Sequence, residues 1–229
     1  MNTAETPQIP PIPPGSPEPA PTLAEPPAGG ALHGLDPLGK RVFKALNRWF
    51  MIPVLGAGLG AWVGSPVGGY MLLLRVRGRS SGLVRETPLS YLIADGSIWI
   101  AAGFGPATQW YRNLLADPAV EVVLPGRLVT GRAVEVRAPA VRTRILPAFM
   151  RATGLPAFLG GINPWRSSDE EVLAATDFVP LIRIDTDDGW LESGADDPGG
   201  RAWIWRQAIV LAGSLAVIGA LRRLRRLLR

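Results

Sequence analysis

The chain of 229 residues contains no cysteine and a single histidine, His33. Disulfide frameworks, cysteine nucleophiles, and zinc sites built from cysteine or paired histidine therefore lack their parts, and we expect no metal site. A serine triad would need a histidine inside the fold, whereas His33 lies beside a proline-rich segment. An enzyme of this composition is expected to take its reactivity from a bound organic cofactor.

The charge distribution also argues against a nucleic-acid-binding protein, although the formal net charge is +5. Five arginines stand in the last eight residues, so the other 221 residues carry 19 basic and 19 acidic side chains. A nucleic-acid-binding domain is expected to carry basic residues across one face of the fold. We therefore expect no nucleic-acid partner.

The N-terminal segment is rich in proline: ten of the 23 prolines lie in the first 30 residues, which show no apolar period. Segments of this composition bury too little surface to fold, and this one lacks the pattern of a secretory signal. We predict a disordered arm over residues 1–30, a globular domain over 38–186, a linker over 187–201 and a C-terminal helix over 202–229.

An uncharged run of 26 residues extends from Trp49 to Leu74. It is long enough to span a bilayer, but it contains two prolines and six glycines and ends in the strand-like "YMLLLRV". We favour a helix and loop that cover one end of a β core. A transmembrane span is the alternative.

The pattern from residue 70 to residue 136 is mostly that of β-strands. "YMLLLRVR" predicts a strand, and "RETPLSYLIADGSIWIAAG" predicts two strands joined at Asp95-Gly96. "AVEVVLPGRLVTGRAVEVRA" predicts a hairpin that turns at Pro125-Gly126. In that hairpin, valines alternate with Glu121 and Glu135, which predicts an apolar face made by the valines.

Three helices and a last strand complete the predicted fold. "TQWYRNLLADP" predicts a short helix with Thr108 as its N-cap and Pro118 after its end. A second helix is expected near "AVRTRILPAFMRATG", and a third begins at Ser168, whose spacing to Glu171 is that of a capping box. "DFVPLIRID" predicts a strand that closes the barrel edge. The fold class is therefore mainly β with helices (α+β), a small barrel.

A turn rich in arginine and glycine follows the first strand, in "RGRSSGLVRETPLSYL" from residue 77 to residue 92. It offers backbone N–H groups, two serine hydroxyls and guanidinium groups at one place, which are the donors of a phosphate or carboxylate site. Arg85 begins the next strand and can point to the same anion as Arg79. Taken alone, the pattern is also typical of a solvated β-turn.

The longer stretch "GRSSGLVRETPLSYLIADGSIWIAAGFGPATQWYRNLLADPAVEVVLPGR" resembles the deazaflavin (coenzyme F420)-dependent nitroreductase family. The shared features are the turn, an arginine three residues after its second glycine, a Pro-Leu pair, a hairpin and Trp-Tyr-x-Asn-Leu. The resemblance covers roughly residues 43–184. It implies a split β-barrel of the FMN-binding type that binds F420 in preference to FMN. It further implies hydride transfer from F420H2 to an electron-poor acceptor such as a quinone or nitroaromatic, and a homodimer as in many split barrels.

The resemblance also implies where the cofactor lies. The implied cofactor-binding residues are Arg79, Ser80, Ser81 and Arg85 at its phosphate and acidic tail, Glu86, Thr87, Pro88, Leu89 and Ser90 along the deazaflavin, Ala101, Ala102, Gly103 and Phe104 on the other wall, and Gln109, Trp110, Tyr111, Arg112 and Asn113 on the short helix. The candidates for a catalytic role are Ser90, Tyr91 and Tyr111. As an alternative, the rings of the helix pack it on the barrel.

One departure from the family concerns charge. Ser80 stands where the family usually has lysine, which removes a positive charge from the expected phosphate site. Arg75 and Arg77 share a strand face with Arg79 and are expected to restore that charge.

The C-terminal segment has 14 uninterrupted apolar or small residues from Ala208 to Leu221, followed by the arginine-rich end. Fourteen helical residues reach about 21 Å, short of the hydrocarbon core at about 30 Å, although residues 203–207 extend the segment to 19. We expect an enzyme on the cytoplasmic side of a membrane, bound to lipid by a shallow or re-entrant segment, or by two spans if the 49–74 run also inserts. The alternative is a helix packed against the barrel or in a dimer.

Two other functions stay open at this stage. One is a non-catalytic split-barrel protein that binds a flavin-like cofactor or a lipid. The other is a membrane-anchored interaction protein whose proline-rich arm recruits partners.

Overall fold

The computed structural model describes residues 45–189, 191 and 201–227. The predicted arm over residues 1–30 and most of the predicted linker lie outside the described residues. The strands are β1 Met71–Arg77, β2 Val84–Ser90, β3 Leu92–Ala94, β4 Ser97–Ala101, β5 Ala119–Leu124, β6 Arg127–Glu135 and β7 Leu181–Thr186. The α-helices are α1 Ile52–Gly56, α2 Gly60–Val63, α3 Gln109–Ala116, α4 Pro139–Thr153, α5 Asp169–Ala175 and α6 Ala202–Leu227, with a π-helical turn at Asn47–Met51 and a 3-10 helix at Leu155–Gly160.

The seven strands form one antiparallel sheet in the order β2-β1-β5-β6-β7-β4-β3. Its two edge strands, β2 and β3, are consecutive in the chain and are separated only by Tyr91. Because one residue joins the two edges, the sheet must curl until the edges approach each other there. The predicted fold class, a mainly β split barrel with helices, is confirmed.

The sequence predicted one strand through "RETPLSYL", and the structure breaks it at Tyr91. Residues before the break pair with β1, and residues after it pair with β4. Tyr91 is buried and its backbone N–H donates to the carbonyl of Tyr70 at 3.3 Å, which turns the chain from one edge to the other. The hairpin at Asp95-Gly96 is confirmed, since both residues have positive φ, 51° and 72°.

The interior of the barrel is apolar and is closed at one end by α3. Side chains from the strands and from α3 form this cluster, including Leu72, Leu74, Ile98, Val122 and Ile184, together with Trp110, Tyr111 and Leu114 from the helix. Burial of this face supplies the main driving force for the curled sheet. The helix predicted from residue 109 is therefore a structural part of the barrel as well as a wall of the site described below.

The outer face of the sheet is covered by two groups of helices. α1 packs Leu55 against Leu73 of β1 and Val123 of β5, so the centre of β1 is buried on both faces. On the other half, Ile145 and Leu146 of α4 pack against β4 and β7. The capping box at Ser168 is confirmed by hydrogen bonds in both directions with Glu171.

The uncharged run of residues 49–74 forms a π-turn, two short helices and the start of β1. This confirms the helix and loop that were favoured over a single span. No helix in the ranges 45–189 and 201–227 combines the length and the apolar character needed to cross a membrane.

The orientation predicted for the end of β6 is wrong. Val134 is 41% exposed, whereas the side chain of Glu135 is only 12% exposed. The inward positions of β6 are Val129, Gly131 and Ala133, and Glu135 continues this alternation. A charged residue can occupy the inward position because Tyr111 and Arg137 satisfy its carboxylate there.

The strand β7, which the sequence predicted to close the barrel edge, pairs with both β6 and β4. It joins the hairpin β5–β6 to the hairpin β3–β4 and completes the curled sheet. The hairpin predicted at Pro125-Gly126 is confirmed, with Leu124 paired to Arg127 across the turn.

The helix α6 contacts the rest of the fold through its first turns. Gln207 donates from Nε2 to the carbonyl of Trp62 at 3.0 Å, and the rings of Trp62 and Trp205 meet edge to face at 5.8 Å. Farther along, the large apolar side chains of α6 are exposed: Ile209, Val210, Leu211, Leu215 and Ile218. The helix is thus attached to α2 at one end and uncovered over its middle by the described residues.

Candidate functional site

The turn between β1 and β2 is fixed by backbone hydrogen bonds. Gly78 donates to the carbonyl of Leu83 at 2.8 Å, and Gly82 donates to the carbonyl of Gly78 at 2.7 Å. Gly82 has φ of 65°, where glycine is favoured. A Cβ on Gly78 would lie 2.9 Å from Oγ of Ser81, so a side chain at this position would displace the Ser81 hydroxyl. The turn therefore presents Ser80 and Ser81 at its tip.

A cleft of about 410 Å³ lies between this turn and α3. We call it the turn cleft. Its lining residues come from the turn, the start of β2 and the first turns of α3: Gly78, Arg79, Ser80, Ser81, Arg85, Glu86, Thr87, Gln109, Trp110 and Asn113. The structure thus brings together nine of the predicted cofactor-binding residues, and Gly78 in addition.

Arg79 spans the turn cleft from the loop to the helix. Its Nη1 donates to Oδ1 of Asn113 at 2.9 Å, and its Nη2 donates to Oε1 of Gln109 at 2.9 Å. The backbone N–H of Arg79 donates to the same Asn113 oxygen at 3.3 Å. The guanidinium is therefore held in one place, and each of these acceptors is an uncharged amide.

Arg85 lies beside the turn and is also held by a neutral group. Its Nη2 donates to Oγ of Ser81 at 3.1 Å. The side-chain oxygen of Ser81 accepts in addition from the backbone N–H of Leu83 at 3.4 Å, which leaves the hydroxyl hydrogen to be donated elsewhere. Within residues 45–189, no carboxylate forms an ion pair with Arg79 or Arg85.

Further donors stand at the tip of the turn. No acceptor in the described part of the chain receives the backbone N–H of Ser80 or Ser81. Two guanidinium groups, two hydroxyls and these N–H groups converge on one exposed place, which is the donor set that a phosphate or carboxylate requires. The donor chemistry of the turn cleft therefore fits the phosphate and acidic tail of a deazaflavin cofactor.

The expectation that Arg75 and Arg77 replace the charge missing at Ser80 is wrong. Arg75 forms ion pairs with Glu86 and Glu121, and these interactions raise its pKa although burial opposes the rise. Arg77 lies 3.7 Å from a carboxylate oxygen of Asp117. Neither arginine lines the turn cleft: Arg75 is held by Glu121 and Glu86 of the neighbouring strands, and Arg77 is paired with Asp117.

Trp110 and Tyr111 point to different places from the same turn of α3. Trp110 lines the turn cleft, with its ring edge to face on that of Tyr111 at 6.4 Å. Tyr111 is 3% exposed, and its hydroxyl hydrogen-bonds the side chains of Glu135 and Arg137. Burial, followed by the Glu135 carboxylate, raises the pKa of Tyr111 to about 12. Packing on the barrel, one of the two expectations, is therefore the observed environment of Tyr111.

The other predicted site residues lie outside the lining of the turn cleft. Pro88, Leu89 and Ser90 continue β2 away from the turn and are half-buried. Ala101 is the last residue of β4, Ala102 is buried directly after it, and Gly103 and Phe104 are exposed beyond. Arg112 donates to the carbonyl of Pro106, and Tyr91 is buried at the strand break. Their assigned roles stay predictions.

The sequence reasoning missed two features of the site. Gly78 belongs to the predicted turn, but the close approach of the Ser81 hydroxyl to it is visible only in the structure. The Glu135–Arg137 pair behind Tyr111 was missed because the end of β6 was assigned the wrong inward face. The alternation of Val129, Gly131 and Ala133 would have placed Glu135 inside, since small residues are typical of crowded inward positions.

The comparison with protein families decides the class of cofactor. Residues 56–153 match the F420H(2)-dependent quinone reductase family. The match covers 98 of the 229 residues and includes the turn, β2 and α3 that form the turn cleft. It confirms the predicted resemblance, the enzyme class of an F420-dependent reductase, and F420 as the cofactor. A comparison with curated proteins gives no match.

Several solved structures are similar to part of the chain. An F420-H2 dependent reductase (FDR-A) is 21% identical over 50% of this chain and 92% of that chain, with a TM-score of 0.37. The conserved hypothetical protein Rv2991 from Mycobacterium tuberculosis is 22% identical over 57% of this chain and 79% of that chain, with a TM-score of 0.41. A putative 5-nitroimidazole antibiotic resistance protein from Bacteroides thetaiotaomicron is 12% identical over 51% of this chain and 72% of that chain, with a TM-score of 0.37.

Proposed function

We propose that this protein reduces a quinone with F420H2 at a membrane surface and that the turn cleft holds the phosphate and acidic tail of the cofactor. The observation that carries the proposal is the pair of guanidinium groups, Arg79 and Arg85, which face the cleft and whose partners among the described residues are all neutral. An anion entering the cleft would meet charges that are not already cancelled.

The residues of the cleft bind and orient the cofactor. When bound, the reduced deazaflavin supplies the hydride. The turn would fix its anionic end, while Trp110 forms one wall and Thr87 begins the path along β2. Anchoring at one end limits the positions available to the reacting end, which is how binding contributes to rate.

The proton that a quinone needs after hydride transfer is best assigned to solvent. Tyr111 is a poor donor because its hydroxyl is engaged by Glu135 and its pKa is about 12. It also lies outside the lining of the turn cleft. Tyr91 is buried at the strand break, within the barrel cluster. This assignment agrees with a reaction in which the protein positions the cofactor rather than supplying acid catalysis.

A membrane location is supported by the exposed apolar middle of α6 and by the five arginines among the last eight residues. Each arginine near an anionic lipid surface contributes about 1 kcal/mol to attachment. The contact of Gln207 and Trp205 with Trp62 would keep the barrel close to a lipid-bound helix. Quinones partition into lipid, so an enzyme attached there meets its acceptor at high local concentration. We place the barrel on the cytoplasmic side, where F420 is available.

The experiment is a titration of the purified protein with oxidised F420 and with FMN, followed by turnover. F420H2 is mixed with menadione or with a nitroaromatic, and loss of the reduced cofactor is followed by absorbance. We expect tighter binding of F420 than of FMN and faster oxidation by the quinone. Arg79→Gln should weaken F420 binding about tenfold, because a charged contact to the anion is lost. Arg77→Gln removes the same charge outside the cleft and serves as the control.

Three results would contradict the proposal. Equal binding of F420 and FMN would show that the cleft does not bind the anionic tail of F420. Binding without turnover would favour a non-catalytic cofactor-binding protein. Faster turnover with the nitroaromatic than with menadione would reject the quinone as acceptor class.

A further inference from the structure

The arginines around the turn cleft form two groups, which differ in whether their hydrogen-bond partners carry a charge. Arg79 and Arg85, which line the cleft, are held by amide and hydroxyl oxygens. Arg75 and Arg77, which lie on β1 outside it, are paired with carboxylates. Both kinds of partner fix an arginine in position, but only a carboxylate cancels its charge.

We propose that Asn113 and Gln109 are specificity-determining positioning residues: their uncharged amides hold Arg79 in place without neutralising it, so that its charge is kept for an anionic ligand. We call these two residues the amide clamp. The identity of that ligand as the anionic part of F420 rests on the proposed function. The clamp itself is a property of the three side chains.

Asn113 links two parts of the loop to the helix. It is 6% exposed, and its Oδ1 accepts from both the backbone N–H and Nη1 of Arg79. One carboxamide therefore fixes the position of the turn and the direction of its guanidinium. With two donors on Oδ1, the oxygen of this carboxamide serves the loop, and only the Nδ2 hydrogens of Asn113 are left for other partners.

Gln109 completes the clamp from the first residue of α3. Its Oε1 accepts from Nη2 of Arg79, and its backbone carbonyl lies 3.5 Å from Nη1. Helix N-termini favour acidic side chains in the first turn, because the peptide dipoles leave partial positive charge there. The first turn of α3 contains no acidic residue. The sequence thus leaves both the helix N-terminus and Arg79 without a carboxylate at the place where they meet.

A carboxylate in the clamp would have opposite effects on stability and on binding. Aspartate at position 113 or glutamate at position 109 keeps the size and the acceptor oxygen, and its bond to Arg79 becomes charge-assisted and stronger. The folded state is then held at least as well as in the wild type. The same substitution supplies an anion inside the cleft, which competes with a ligand of like charge for Arg79. If the amides have only a structural role, a variant should lose affinity for the ligand only to the extent that it loses stability.

The experiment compares Asn113→Asp and Gln109→Glu with Asn113→Ala. Asn163→Asp is the matched control, because it adds the same charge at an asparagine outside the cleft whose Oδ1 accepts from the backbone N–H of Trp165. The melting temperature is measured for each variant. Dissociation constants for oxidised F420 and for inorganic pyrophosphate are measured at several salt concentrations.

We expect Asn113→Asp and Gln109→Glu to keep or raise the melting temperature and to bind both anions at least about tenfold more weakly, with a smaller salt dependence because one charge is cancelled. Asn113→Ala should lower the melting temperature and weaken binding, while its salt dependence stays close to that of the wild type. The Asn163→Asp protein should bind as the wild type does.

The outcomes separate the two proposals. Wild-type binding of pyrophosphate but not of F420, with the expected losses in the acidic variants, supports the clamp and rejects the proposed function. Unchanged affinity in both acidic variants overturns the clamp, whatever the wild type binds, and so does a loss of affinity that only parallels a loss of stability. A wild type that binds neither anion overturns both proposals.

Discussion

Arg75 on β1 donates from Nε to Oε1 of Glu86 on β2 at 2.9 Å, at a position where the two residues are directly opposite each other in the antiparallel pair. Glu86 lines the turn cleft, and it follows Arg85 in the chain. The ion pair therefore draws the one carboxylate of the cleft lining toward the neighbouring strand. Such a cross-strand pair adds little to stability by itself, so its position matters more than its strength.

Removal of Arg75 should release Glu86 toward the arginines of the cleft. We expect Arg75→Met to bind F420 a few-fold more weakly than the wild type, although Arg75 makes no contact with the cleft. Arg75→Met combined with Glu86→Gln should restore the affinity, because the released side chain is then neutral. The dissociation constants of the two single variants and the double variant form the test. Additive effects would show that Arg75 and Glu86 act independently on binding.

The turn depends on the absence of a side chain at position 78. We expect Gly78→Ala to weaken F420 binding about tenfold, because the added Cβ would lie 2.9 Å from Oγ of Ser81 and 3.2 Å from the carbonyl of Leu83. Ser81 would have to move, and its bond to Arg85 would move with it. Gly160→Ala is the control, since nothing lies within 4 Å of an added Cβ there and the residue lies outside the predicted site. Equal binding by the two variants would mean that the turn adapts without cost to the site.

Tyr111 links α3 to the end of β6 through Glu135. We expect Tyr111→Phe to lower the free energy of unfolding by about 2 kcal/mol at neutral pH, the usual contribution of a hydrogen bond to a charged group. Chemical denaturation followed by tryptophan fluorescence measures the change. Binding of F420 should weaken much less than in Arg79→Gln, because the Tyr111 hydroxyl points away from the turn cleft.

The same bond predicts a dependence on alkaline pH. Tyr111 has an ordinary pKa of 10.0 when unfolded and about 12 in the fold. The unfolded state therefore loses its proton first, and the contribution to stability is complete below pH 10 and is lost as the pH rises through 12. The difference in unfolding free energy between wild type and Tyr111→Phe should narrow across this interval. A constant difference would contradict the raised pKa.

The arginines at the C-terminus predict binding to acidic lipid. Arg222→Gln, Arg223→Gln, Arg225→Gln and Arg226→Gln together should reduce co-sedimentation with vesicles that contain phosphatidylglycerol, by well over tenfold given about 1 kcal/mol for each charge. Vesicles of phosphatidylcholine alone should bind the wild type weakly. Turnover of a water-soluble quinone should stay unchanged, since these residues lie outside the turn cleft. Equal binding of wild type and variant to both vesicles would reject the lipid-bound helix.

The local parts of the structure could be predicted because short-range physical chemistry specifies them. Asp95-Gly96 and Pro125-Gly126 determine tight hairpins through their backbone preferences, and the Ser168 capping box determines the start of α5. Arg79, Ser81 and Arg85 could be predicted to lie together, as they do in the lining of the turn cleft, because a glycine-flanked turn keeps them within a few residues of one another.

The sequence by itself therefore determined the strands and turns, the donor set of the turn and the resemblance to an F420-dependent family. Only the tertiary structure decided which strands meet at Tyr91 and that Glu135 points inward to Tyr111. It also decided that Arg75 forms ion pairs with Glu86 and Glu121, while Arg79 donates to neutral amides. These features depend on residues far apart in the chain. A local pattern specifies which donors and charges a segment carries, but the partners that cancel or preserve those charges come from the packing of distant segments.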